Sequence, residues 1–285
     1  MPKVSINFDQ AKAACLANGP GFHMMTNWEW SAVALWCVKN GFQPRGNTAW
    51  GKAYDAGYET GSRLDGRAPG ETIGDGRTLG GGGPLSWRHN NDISGIADLA
   101  GNVWEWQDGL KIVDGQVFYA QNDNDFTLAE AQWPAQGVYF DASAGPGDGN
   151  GSAHNGTLIL SNGIAKYSET PTPAGGNDER DLDYTYIGGV DGWQKTALSS
   201  GYNGLAAAVR QRMAQALIAP KLASGDSAVI AAAKGAIWVR NYGERLPVRG
   251  GDWFTGAPAG LAALLLVERR STVVNSLGCR PAFIL

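Results

Sequence analysis

The stretch from Val248 to Leu285 does most to limit what this chain can fold into. It opens on a Gly250-Gly251 pair leading into Trp253, passes Gly256 and Gly260, and enters an apolar run, Leu261 to Val267. A polar loop from Glu268 to Ser276 follows, and Gly278 to Leu285 closes the chain. Glycine at such turns supplies positive φ, or a close backbone approach that a Cβ would obstruct. The apolar run has strand length and is bounded by turn residues. Pro281 has no N–H to give to a ladder, which predicts an edge or bulged strand there. An ending of Ala282-Phe283-Ile284-Leu285 predicts a terminus tucked against a sheet, since loose tails are usually polar. Alternation then poses a choice. With Leu264 and Leu266 facing the core, Leu265 and Val267 face outward, so the strand is covered on both faces or displays a ligand surface.

Composition narrows the class. The chain has 285 residues, 41 of them Gly and 11 Trp, with 43% hydrophobic residues. So much glycine and tryptophan, with few long periodic segments, predicts a loop-rich α+β fold, read as one domain over 1–285. A net charge of −4 with 23 Lys+Arg and no basic run argues against nucleic acid as a partner. No stretch approaches the ~20 apolar residues of a membrane span, so no membrane insertion is expected. Met1 to Ser5 carries no apolar signal core, which makes synthesis in a cytosol the default and leaves carriage in a virus particle open. Cys15, Cys37 and Cys279 lack metal-site spacing and read as buried reduced thiols.

Along the chain, Asp9 to Ala17 reads as a short helix ended by Asn18-Gly19-Pro20. Thr26 and Glu29 have capping-box spacing and launch a helix to about Lys39, with Trp30, Val33, Ala34 and Cys37 on one face. Gly46 to Asn91 is turn-rich. Its glycine run, Gly80 to Gly83, lacks the Lys-Ser/Thr helix start of a phosphate cradle and reads as a connector. In Gly101-Asn102-Val103-Trp104-Glu105-Trp106, period two puts both tryptophans on one strand face. Leu110 to Tyr119 reads as a hairpin through Asp114-Gly115. About 121–201 is polar and reads as a loop-rich insertion pinned by Trp133, Tyr139 and Phe140. Asn203 caps an expected helix from Gly204 to Ile218. Ile237–Arg240 and Arg245–Val248, across a turn at 241–244, read as a second hairpin.

Gly101 to Trp106, together with Arg249-Gly250-Gly251, Trp253, Gly256, Ala259-Gly260 and Gly278 to Phe283, resembles a known pattern. It is that of diversity-generating retroelement variable proteins, which carry a C-type lectin fold of the formylglycine-generating-enzyme subtype. The resemblance covers roughly the first 120 and the last 50 residues. It implies hypervariable, ligand-binding positions at Asp252, Phe254, Thr255, Pro258, Leu265, Val267, Glu268, Thr272, Val274, Asn275 and Ser276, within a variable region spanning 248–285. Because Leu265 and Val267 coincide with such positions, the ligand surface is the favoured side of the choice above, with Phe254 joining them in one patch. The implied partner is a protein or other macromolecule, such as a host surface receptor, met by a phage, virus or retroelement product.

Enzyme chemistry finds little purchase. The copper enzymes of the superfamily use two cysteines soon after the Arg-Gly-Gly-x-Trp turn, and Phe254 to Gly260 contains none. His23, His89 and His154 are too dispersed for a three-histidine iron site, and no Gly-x-Ser-x-Gly elbow exists. The chain is therefore read as a non-enzyme without cofactor. An inactive or unusual oxidase of that type and a structural tail or coat component are the alternatives. Asn102 and Glu105 are weak calcium candidates; the competing reading has Asn102 capping a turn and Glu105 pairing with Arg249 or Arg280.

Overall fold

The computed structural model describes residues 2–113, 115–121, 124–142, 153–154, 158–161, 184–187, 197–198, 206–218, 233–239 and 243–284. Helices and sheets are mixed, an α+β architecture. Helix α1 (Phe8–Leu16) starts at a capping box in which Asn7 accepts from the Gln10 amide and Gln10 answers to the Asn7 amide. After β1 (Phe22–Met24), helix α2 (Asn27–Lys39) starts at the predicted Thr26/Glu29 box. It buries Trp30, Ala34 and Cys37 at one-face spacing. Helix α3 (Ala207–Gln215) lies inside the expected 204–218 span, and its proposed cap, Asn203, is outside the described residues.

The strands build two large sheets and a small one. They are β2 (Trp104–Trp106), β3 (Leu110–Val113), β4 (Gln116–Tyr119), β5 (Ala135–Ala142), β6 (Ala153–His154), β7 (Leu158–Ser161), β8 (Tyr184–Ile187) and β9 (Ala197–Leu198). The chain continues with β10 (Ile237–Val239), β11 (Glu244–Arg245), β12 (Val248–Gly250), β13 (Gly260–Leu266), β14 (Leu277–Cys279) and β15 (Pro281–Phe283). One sheet runs β14-β2-β12-β13-β10-β8-β6, the other β11-β3-β4-β5-β7-β9, and β1 pairs with β15. The β3–β4 hairpin forms as expected, with Gly115 at φ +78°. The expected 237–248 hairpin does not. β10 instead runs parallel to β13, and β11 joins β3 in the other sheet. Pro247, between β11 and β12, has no N–H to continue one ladder into the next.

β13 sits in the middle of its sheet and is covered on both faces. Leu264 and Leu266 pack with Trp30, Ile237 and Val239 under α2 and the second sheet. Ala263 and Leu265 turn the other way, toward Phe8, Trp104, Trp106 and Trp238 beneath α1. The apolar run is thus a strand buried from two sides, which is why it fails to alternate. β15, which opens on Pro281, pairs on one side only, with β1, as a strand lacking that N–H does at an edge. β15 pairs with β1 as a tucked end, but Phe283 and Ile284 stay exposed. Among the described residues, no helix is long and apolar enough to cross a membrane.

Candidate functional site

Gly250 and Gly251 leave β12 at φ +93° and +92°. A Cβ on Gly251 would come within 2.7 Å of the Ala259 Cβ, so conformation and space both demand glycine. Asp252 then organises a tight turn. Its Oδ1 accepts from the Phe254 amide at 3.2 Å and from the Thr255 hydroxyl at 2.7 Å, while its own amide donates to Thr255 Oγ1 at 2.9 Å. This is the local side-chain-to-backbone bonding that makes aspartate a turn former. Burial raises the Asp252 carboxyl above the usual carboxylate range, against the opposing hydrogen bonds from Thr255, Phe254 and Ser276.

That shift carries a pH signature. A carboxyl with its folded pKa raised holds more protons folded than unfolded at pH values just above the ordinary aspartate range of about 4. Its contribution is therefore present below the unfolded pKa and lost as pH rises through the folded one. Asp252→Asn keeps the accepting Oδ1 and should flatten stability across that window relative to wild type, read by urea unfolding at a series of pH values. Parallel pH curves for the two proteins would refute it.

From this turn two aromatics diverge. Trp253 points inward at 3% exposure, so close to Gly76 that a Cβ there would meet the indole at 2.2 Å. Phe254 points outward at 55% exposure. Its ring lies 5.5 Å from that of Trp253 and 6.4 Å from that of Trp50. Trp50 holds a positive φ of +55°, costly for a bulky residue. The conformation is held by its amide donating to the Trp253 carbonyl at 2.6 Å and by the Arg63 guanidinium 5.7 Å from its ring centroid. Below the turn a recess of about 270 Å³ is lined by Arg45, Thr48, Tyr54, Asp55, Lys234 and Ala257, among others.

The loops are tied by a buried amide knot. Asn102 Oδ1 accepts from the Thr78 amide at 2.8 Å and from Asn47 Nδ2 at 3.3 Å, and Asn47 Oδ1 accepts from the Gly51 amide at 2.6 Å. Asn102 sits at φ +67°, a left-handed position that asparagine tolerates better than most residues.

The eleven expected positions separate into groups. Asp252, Phe254, Thr255 and Pro258 lie on or beside the turn. Asn275 and Ser276 reach the same end of the sheet, because β14 runs parallel to β2 with Leu277 opposite Trp104. The Ser276 hydroxyl bonds to the Asp252 carboxyl. Asp252, expected among the ligand-binding positions, is 2% exposed and serves as the internal brace of the turn. Leu265, expected to face a ligand, is half-buried and packs against the α1-side core. β13 begins at Gly260 beside the turn, so Leu265 is five residues on, roughly 16 Å at ~3.3 Å per residue. Val267 and Glu268 lie further still, where Val267 O accepts from Arg245 Nη1 at 3.4 Å and Glu268 O from the Leu246 amide at 3.0 Å. Phe254, Leu265 and Val267 therefore do not form one patch. Thr272 is half-buried and Val274 exposed, on the crossing loop beside the N-terminal segment, where Val274 O accepts from the Ser5 amide at 3.1 Å.

The calcium candidates do not converge on a shared site. Both Glu105 carboxylate oxygens accept from Arg280, at 2.8 Å and 2.6 Å, and Asn102 belongs to the knot. Arg249 instead points the opposite way, its guanidinium donating to Asn27 Oδ1 at 2.9 Å and 2.7 Å and to the Ala216 carbonyl beyond α3 at 2.9 Å. Burial without a facing carboxylate lowers the Arg249 pKa to about 9. Among the described residues, no group of three or more His, Cys, Asp or Glu could hold a metal ion.

Comparison with protein-family models and with curated proteins finds no match for this chain. Sequence reasoning missed Trp50, Tyr54 and the recess around Thr48. The available signal was a cluster of aromatics, Trp50, Tyr54 and Tyr58, inside a tract otherwise poor in apolar residues.

Proposed function

We propose that this chain is a non-enzymatic binding protein on a C-type lectin scaffold of the formylglycine-generating-enzyme subtype. It presents a diversified surface to a protein or other macromolecular ligand, such as a host surface receptor. The observation that carries this reading is Phe254: a large aromatic held out at 55% exposure by a turn whose Asp252 and Trp253 are locked inward. An exposed aromatic anchor with a polar surround is what a binding hot spot uses, and a braced turn loses little entropy when it docks. Thr255 adjoins Phe254 on the turn, Asn275 lies at the same end of the sheet, and Tyr54, 44% exposed, lines the recess beside the turn. Leu265 and Asp252 have no part in this surface.

Two experiments test the reading. The DNA flanking the coding segment for 248–285 should hold a near-repeat differing at adenines, close to a reverse transcriptase gene. An intact locus lacking both would remove diversification. Separately, Phe254→Ala should leave unfolding free energy within about 0.5 kcal/mol of wild type, as an exposed position does. A loss of several kcal/mol would make Phe254 a structural residue.

A further inference from the structure

Cys15 lies in the last turn of α1 and Cys279 ends β14. They are separated by 264 positions in sequence, yet the Cys15 thiol donates to Cys279 Sγ at 3.7 Å. Both are free thiols. Cys37 stands apart, giving its S–H to the His89 carbonyl at 3.3 Å. The two sulfurs differ in access: Cys15 is buried, whereas Cys279 is half-buried on an edge strand. We propose that Cys15 and Cys279 are a disulfide-exchange site, oxidised by a low-molecular-weight disulfide to a reversible covalent staple between α1 and β14.

The chemistry assigns each thiol a role. The hydrogen bond from Cys15 favours the thiolate of Cys279 and holds its pKa below the usual thiol range, while the same bond, with burial, raises Cys15. Cys279 is thus the attacking sulfur. Its thiolate bonds to one sulfur of the small disulfide, whose S–S bond breaks and releases one thiolate. That leaving thiolate takes the Cys15 proton. Cys15 then attacks Cys279 Sγ, forming the internal S–S bond and expelling the second small thiolate. Two protein thiols are oxidised and one small disulfide is reduced to two thiols. Closing from 3.7 Å to a bond of about 2.05 Å moves the sulfurs roughly 1.7 Å. Rotation at Cys15, at the end of its helix, provides that movement. The staple would tie α1 to the strand that follows Asn275 and Ser276, bracing the scaffold on the side away from α2.

The test uses the full, reduced chain treated with oxidised glutathione under native conditions, then unfolded for thiol counting and non-reducing peptide mapping. The three free thiols of the wild type should fall to one, with Cys15 joined to Cys279. Cys37→Ser should fall from two thiols to none and carry the same link. Cys15→Ser should stop at a glutathione adduct on Cys279, because the resolving sulfur is gone. Three thiols surviving in the folded wild type, a link involving Cys37, or a disulfide-joined dimer would each overturn the proposal.

Discussion

Trp106→Ala should lower the unfolding free energy by about 3–5 kcal/mol, toward the upper end of what a buried tryptophan costs. Trp106 is fully buried, meets Phe8 edge-to-face at 5.7 Å, and its Nε1 donates to the Ile6 carbonyl at 3.1 Å. The substitution empties a large volume under α1 and leaves that carbonyl without its donor, and the two costs add. A domain whose whole stability is ~5–15 kcal/mol would be brought near its limit. Urea unfolding of Trp106→Ala beside Phe254→Ala provides the internal scale. Equal losses for the two would mean that the buried face of β2 has been assigned wrongly.

Glu105→Ala should cost a comparable ~3–5 kcal/mol, for an electrostatic reason. Glu105 is 5% exposed, and burial raises its carboxyl above the usual carboxylate range, against the opposing pull of the bidentate Arg280. Removing the carboxylate strands a guanidinium that has lost its salt-bridge partner and keeps only the more distant charge of Asp98. Replacing the pair by Glu105→Leu with Arg280→Met should recover the larger part, since apolar side chains carry no desolvation cost. Recovery stays incomplete because Arg280 Nη2 also donates to the Ala97 carbonyl at 3.0 Å. A double-mutant cycle reads the coupling directly. A double variant as damaged as the sum of its singles would show that the two groups act independently.

Several parts of this architecture are written locally and so were legible in the sequence. The Thr26/Glu29 box starts α2 because both hydrogen bonds join residues three apart. The tryptophans of β2 share a face because a strand has period two, and the hairpin at Gly115 needs only a residue that accepts positive φ. The Gly250-Gly251 turn was likewise marked by composition, and so was the outward placement of Phe254 as one of two possibilities.

Tertiary structure decided the rest. Whether Leu265 met solvent, a ligand or a second core depended on α1, which precedes it by some 250 residues and covers that face of the sheet. Nothing in the spacing of Leu261 to Val267 carries that information, because a strand covered on both sides reads as one apolar run. The partner of Glu105 was equally non-local: Arg249 lies opposite it in register but turns to Asn27, leaving the carboxylate to Arg280. Asp252 shows why a polar residue type does not determine exposure. Its hydrogen bonds to Thr255, Phe254 and Ser276 compensate a carboxyl that composition alone would place at the surface.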